Sequence, residues 1–158
     1  MTIQTGDSIP EVTLKTMGEN GPEAISTADI FNGKKVVLFA VPGAFTPTCS
    51  AAHLPGFVVN VDAIKAKGVD TVACTSVNDV FVMNAWGKAQ NAEHILMLAD
   101  GNAELATALG LTLDGSGFGM GTRSKRYAMI VDNGVVTHLA VDEKGFELSS
   151  AEAILAAL

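Results

Sequence analysis

Six consecutive apolar residues, Val36 to Val41, narrow the folds open to this chain more than any other stretch. A strand with one wet face alternates apolar and polar residues. This run does not, so both its faces are covered, as parallel strands sandwiched between helices are. A loop follows at once, Val41-Pro42-Gly43-Ala44-Phe45-Thr46-Pro47-Thr48-Cys49-Ser50. Then Leu54, Phe57, Val58, Val61 and Ile64 recur at the spacing of one helical face. A buried strand, a tight loop and a helix is half of a βαβ unit. Pro55 has no N–H to offer the carbonyl of Ala51, so a kink or two helical pieces are expected there.

The rest of the chain fits that start. Val12-Thr13-Leu14 and the turn cluster Gly18 to Pro22 suggest an N-terminal hairpin. Ser26 or Thr27 caps a short helical turn through Phe31, ended by Asn32-Gly33. Val69 to Val77 and Ile95 to Ala99 read as further strands. Between them a helix capped by Asn78 or Asp79 runs to about Gln90, and Ala103 to Leu109 forms a shorter one. Tyr127 to Asp132 and Val135 to Val141 flank Asn133-Gly134, a dipeptide suited to a hairpin turn that needs positive φ at both positions. Ser149 or Ser150 caps a last helix through Leu158. Parallel strands, an antiparallel hairpin and a terminal helix together predict a thioredoxin-like α/β fold. It has a central mixed sheet flanked by helices, an N-terminal extension, and one domain over residues 1–158.

Charge excludes some functions. The formal net charge is −7, against the basic surface that a general nucleic-acid binder needs. No apolar run approaches the roughly 20 residues of a membrane span. The N-terminus carries no secretory pattern, and two cysteines in 158 residues need no disulfide framework, so a reducing, cytoplasmic setting is expected.

The chemistry gathers at Cys49. A thiol at a helix start meets backbone N–H groups without intrahelical partners and the positive end of the helix dipole, conditions that favour the thiolate. Thr46, three residues earlier, brings a hydroxyl that can turn back over the sulfur. Pro42 and Pro47 stiffen the loop, and the amides of Thr48 and Cys49 point at the same small volume. A thiolate, a hydroxyl and amide donors suit a small oxygen-bearing substrate. A dipole alone is weak help for a thiolate, and Arg126, at the start of a strand, offers a permanent charge and a planar fork. The blander alternative makes Cys49 a core thiol and Arg126 a surface charge.

The stretch Val41 to Ser50, continuing through His53-Leu54-Pro55-Gly56-Phe57, resembles the peroxidatic motif of the type II peroxiredoxins, the peroxiredoxin-five subfamily. Val72 to Asp79, Ala85-Trp86-Gly87 and Arg126 to Met129 resemble other segments of that family, so the likeness covers nearly the whole chain. It implies a peroxidase for hydrogen peroxide and alkyl hydroperoxides that needs no cofactor and no metal. By that resemblance Cys49 is the peroxidatic cysteine, Thr46 orients the peroxide, Pro42 shields the sulfenic acid and Arg126 is the essential cation. Gly43 and Thr48 line the substrate site. Animal members carry a resolving cysteine near the C-terminus; here that region reads Glu147-Leu148-Ser149-Ser150, with no cysteine beyond Cys74. The resemblance therefore implies a one-cysteine cycle completed by glutathione with glutaredoxin, or by thioredoxin, in a homodimer that exposed Phe45, Phe118 and Met120 would suit.

Three features stay open at this level. Cys74 is either a buried inert thiol or a resolving partner. His53 packs near the Pro55 interruption, supports the thiolate, or begins a metal site with Cys49. The glycine-rich stretch Gly115 to Gly121 lacks the Gly-Lys-Ser/Thr ending of a nucleotide loop and reads as a loop near the site or a contact between copies. Two other functions share the fold. A thiol–disulfide oxidoreductase would want a Cys-x-x-Cys pair, which is missing; a redox sensor or holdase would use Cys49 only as a switch.

Overall fold

The structure, a computed structural model, describes residues 2–158. Those residues build a seven-stranded mixed sheet and a separate two-stranded one. The hairpin β1 (Thr13–Gly18) and β2 (Gly21–Ser26) comes first, then α1 (Thr27–Phe31) and β3 (Lys35–Ala40). A π-helical turn (Cys49–His53) runs into α2 (Leu54–Ala66), followed by β4 (Thr71–Ser76), α3 (Val80–Ala89), β5 (Leu96–Ala99) and α4 (Glu104–Leu109). The short strands β6 (Thr112–Asp114) and β7 (Thr122–Ser124) bracket a 3₁₀ turn, and β8 (Arg126–Asp132), β9 (Val135–Asp142) and α5 (Ala151–Ala157) close the chain. The large sheet has the order β2-β1-β5-β4-β3-β8-β9.

The run Val36 to Val41 lies where its composition demands. β3 pairs parallel with β4 and antiparallel with β8, in the middle of the sheet. Both its faces are covered. Val37, Phe39 and Val41 pack under α2, α3 and α5, where Leu54, Phe57, Met83, Trp86 and Ile154 meet them. Val36, Leu38 and Ala40 face the other way, against Ile30, Phe31, Leu105 and Leu109 of α1 and α4. The N-terminal hairpin extends the sheet through an antiparallel bridge from Lys15 to Ala99 and a bond from the Thr16 hydroxyl to the Met97 carbonyl.

The caps resolve the sequence alternatives. Ser26 closes a capping box with Asp29. Asp79, not Asn78, caps α3, and Ser150, not Ser149, caps α5. The two residues passed over do other work, described below. Asn133 and Gly134 both take positive φ in the β8–β9 hairpin. The strand read as Val69 to Val77 is shorter at both ends, because Gly68 and the turn after it precede Thr71 and Asn78 leaves the sheet. The strands β6 and β7 were not anticipated, since three residues carry no periodicity.

Pro55 does divide its helix. An α-helical turn begins at Pro47, widens to a π-turn from Cys49 to His53, and becomes α-helical again from Leu54, with Pro55 in the first turn where its missing N–H does no harm. The Leu54 amide reaches back five residues to the Cys49 carbonyl. The widened turn is thus placed immediately after the cysteine, and π-turns are rare outside functional sites.

Phe57 anchors α2 beneath that turn by stacking on Phe39, with ring centroids 3.9 Å apart and planes 5° from parallel. Phe57→Ala is expected to lower unfolding free energy by about 3–5 kcal/mol, the usual range for emptying a fully buried phenylalanine site, as read from urea denaturation.

Candidate active site

The site forms where the loop after β3, the π-turn and the first residue of β8 converge. Cys49 is fully buried. The guanidinium of Arg126 lies beside it, with Nη2 donating to the Cys49 sulfur at 3.1 Å. Arg126 comes from a strand 77 residues away and is itself buried, so it is not a surface charge. A cationic donor in contact with sulfur, in a dry setting, stabilises the thiolate directly.

Arg126 is held in turn by His53. Its Nη1 contacts His53 Nδ1 at 2.8 Å, and His53 Nε2 contacts the carbonyl of Ser149 at 2.9 Å. A guanidinium only donates and a carbonyl only accepts, so the two contacts fix the ring: Nδ1 accepts and Nε2 carries the proton. Burial, with the neighbouring charge of Arg126, pushes the imidazole down to about 3, so it stays neutral. Both ring nitrogens are committed, which removes the metal reading of His53. Phe39, Phe57 and Phe146 pack around the ring at centroid distances of 5.1, 5.7 and 4.8 Å. The plain packing reading of His53 falls short too, because it is the rest on which the arginine fork sits.

The loop before Cys49 is equally fixed. The Thr46 hydroxyl donates to the Gly43 carbonyl at 2.6 Å, so its proton is spent there and its lone pairs are left to accept. A Cβ on Gly43 would press on Thr46 Cγ2 at 3.1 Å and Met120 Cε at 3.2 Å, so a side chain there would have to displace both by a few tenths of an ångström. The Ala44 amide donates to Asn78 Oδ1 at 3.0 Å, which binds the loop to the end of β4. Phe45 takes a positive φ of 64°, rare for a bulky residue and sustained only because its surroundings dictate it. Pro42 and Thr46 are half-buried, and Thr48 is exposed in the first helical turn.

Cys74 lies in the middle of β4, paired with Phe39, and is fully buried and free. Burial first, and the neighbouring Cys49 second, push its thiol well above the ordinary range, which suits an inert core thiol. The glycine-rich stretch is bracketed by β6 and β7. It brings Met120 against Gly43, while Arg123 fastens its end by donating to the carbonyls of Met120 and Val77, both at 2.9 Å.

Of the residues that sequence reasoning assembled (Pro42, Gly43, Thr46, Thr48, Cys49 and Arg126), the fold joins Arg126 to Cys49 and Thr46 to Gly43 by hydrogen bonds, with Pro42 and Thr48 on the same loop. That reasoning missed Asn78, taken for a helix cap, and the carbonyl of Ser149. No local pattern marks a backbone oxygen 96 residues from the histidine it receives.

Known proteins share this arrangement throughout its length. Residues 4–155 match the Redoxin family model. The chain is 48% identical to peroxiredoxin-2D of Arabidopsis thaliana, over 99% of this chain and 98% of that one. This chain is a type II peroxiredoxin. Reduced Prx3 of Vibrio vulnificus, solved in complex with hydrogen peroxide, superposes with a TM-score of 0.96 at 60% identity, covering 99% of both chains. Peroxiredoxin 5 of Alvinella pompejana superposes with a TM-score of 0.86 at 37% identity, covering 98% of this chain and 97% of that one. The fold is thioredoxin-like, and the activity is that of a thiol peroxidase, with a peroxide as substrate and a thiol as reductant.

The neutral His53 has a consequence for stability. Its pKa is lower folded than unfolded, so between pH 6.5 and about 3 the unfolded chain binds the extra proton. Stability from this residue is complete above pH 6.5 and drains as the pH falls toward 3. The slope is at most about 1.4 kcal/mol per pH unit for one proton. His53→Gln should flatten the stability–pH curve by that amount over the window, and denaturant titrations from pH 7 to 4 measure it.

Proposed function

We propose that Cys49 is the peroxidatic nucleophile and that Arg126, Thr46 and the amides of the first helical turn hold the peroxide against it. The contact of Arg126 with the Cys49 sulfur at 3.1 Å carries this reading. In the first step the thiolate sulfur attacks one peroxide oxygen. An S–O bond forms and the O–O bond breaks; Cys49 becomes a sulfenic acid, and the departing alkoxide or hydroxide takes up a proton to leave as alcohol or water. Thr46, its own proton given to Gly43, accepts the peroxide O–H. The amides of Thr48 and Cys49 and the unused N–H groups of Arg126 donate to the oxygens as negative charge builds on them. Gly43 contributes through its carbonyl, which sets Thr46. Pro42 covers the sulfenic acid.

The second half returns Cys49 to the thiol. An external thiolate attacks the sulfenic sulfur and releases water; a second thiol then cleaves the mixed disulfide, leaving Cys49 reduced and the two external thiols joined. Two observations favour an external partner. Cys74 is buried and its thiol is held protonated, and Ser149 stands in the C-terminal region where animal relatives have their resolving cysteine. Glutathione with glutaredoxin is the reductant we favour, with thioredoxin as the competitor. A reducing compartment such as the cytoplasm suits two free thiols. Exposed Phe45 and Phe118, with half-buried Met120, offer apolar area for a homodimer around the site.

Peroxide consumption assayed in parallel with glutathione–glutaredoxin and with thioredoxin separates the reductants. Cys49→Ser is expected to abolish turnover with either, while Cys74→Ser keeps most of it. Equal loss in both would defeat the one-cysteine cycle. Arg126→Lys should slow Cys49 oxidation by about 10²-fold or more although the charge is kept, because the fork that spans sulfur, histidine and substrate is lost.

A further inference from the structure

Asp142 ends β9 and stands opposite Arg126 in the β8–β9 register, so both side chains belong to the same sheet face. Its carboxylate is nevertheless turned toward the loop that follows. Oδ1 accepts from the Leu148 amide at 3.0 Å. Oδ2 accepts from the Ser149 amide at 2.9 Å, the Ser149 hydroxyl at 2.6 Å and the Glu147 amide at 3.2 Å. Four donors on one buried carboxylate form a clamp that makes a compact turn of Glu147–Ser149. Burial raises this carboxyl, and the Ser149 hydroxyl with the three amides outweighs it and holds the group below the usual carboxylate range. The same Ser149 offers its carbonyl to His53, and His53 supports Arg126.

We propose that Asp142 is a positioning residue for the peroxidase reaction: by clamping the Glu147–Ser149 turn it fixes the Ser149 carbonyl, which sets His53, which aims the Arg126 fork at the Cys49 sulfur. The inference rests on the peroxidase reading and adds to it a residue without contact to substrate or sulfur. The chain of contacts runs Asp142, Ser149, His53, Arg126, Cys49, and every link is a hydrogen bond of 3.1 Å or shorter. It has no slack to absorb an error at its far end. The clamped loop also carries Phe146, whose ring covers His53 at 4.8 Å and lies 5.8 Å from the Arg126 guanidinium. Releasing the loop would take away the Ser149 acceptor and open one side of the histidine to water.

The release has a signature that simple damage lacks. The charged or titratable groups around His53 are Arg126, Cys49 and Asp142; the remaining neighbours are the rings of Phe39, Phe57 and Phe146. Removing only the negative charge of Asp142 would lower the His53 pKa further, because that charge favours the imidazolium. Freeing the loop would remove the Ser149 hydrogen bond, which favours the imidazolium, and would admit water to the ring; burial is the larger influence, so the net movement is up toward 6.5. The two outcomes have opposite signs.

The test uses the full chain, its Asp142→Asn, Asp142→Glu and Ser149→Ala variants, and hydrogen peroxide. Trp86, the sole tryptophan, donates to the Ser50 hydroxyl beside Cys49, so its fluorescence follows oxidation in a stopped-flow experiment. Imidazole NMR follows the tautomer and titration of His53 among three histidines. Asp142→Asn should slow peroxide oxidation by about 10- to 100-fold. It should also move His53 titration up toward 6.5 and add an acid limb to the rate profile there. Asp142→Glu should recover part of both, and Ser149→Ala should shift both in the same direction by less. An Asp142→Asn rate within twofold of the parent, or a His53 that stays neutral down to pH 4 in that variant, overturns the proposal. If Asp142→Asn does not fold, Ser149→Ala decides, and an unchanged rate and titration there overturns it. A parent protein oxidised no faster than a free thiol would instead defeat the peroxidase reading itself.

Discussion

The contact between a buried guanidinium and a buried sulfur is the interaction on which the rest of this structure depends. An arginine cannot shed its charge, and removing that charge from water costs several kcal/mol unless a counter-charge and hydrogen bonds compensate. No carboxylate reaches Arg126 within ion-pair distance among the described residues, where the one such pair is Lys125 with Glu143. Its direct partners are a neutral imidazole and Cys49. A negative charge on the Cys49 sulfur would therefore compensate a guanidinium that has no carboxylate beside it among the described residues.

That arrangement divides labour within the sheet. β3 and its loop lead to Cys49, β8 begins with Arg126, and their antiparallel pairing through Ala40 and Tyr127 sets the distance between them. Strands in the middle of a sheet covered on both faces are the least compliant part of a domain. The site borrows that rigidity and adds ties of its own: Asn78 to Ala44, Gly43 to Thr46, and Arg123 to Val77. The loop after β9 also lies outside the sheet, and it is bound to Asp142 by four hydrogen bonds.

Much of this was legible in the residues, and the boundary has a physical cause. Unbroken apolar runs gave the central strands, Asn133-Gly134 gave the hairpin, and hydroxyl or carboxyl caps gave the helix starts, because each is encoded within a few neighbouring positions. Cys49 announced itself by standing at a strand-to-helix junction. The role of His53 did not, since it depends on Arg126 lying 73 residues away and on a carbonyl lying 96 away. Asn78 and Ser149 misled for a related reason. Both are good helix caps, and each yielded that task to its neighbour because tertiary contacts made better use of it. Pro55 suggested an interruption, and the geometry of that interruption, a widened turn placed on the cysteine, follows from packing on both sides of it.

The complete burial of Cys49 fixes a sequence of events. Its sulfur has no surface open even to a water-sized molecule, so a peroxide reaches it only once the segments over it move, and a peptide-sized thiol needs a larger opening still. The segment that has to give way is the π-turn that carries Cys49, closed by the Leu54 amide on the Cys49 carbonyl. Opening before reaction is thus written into the burial of one turn.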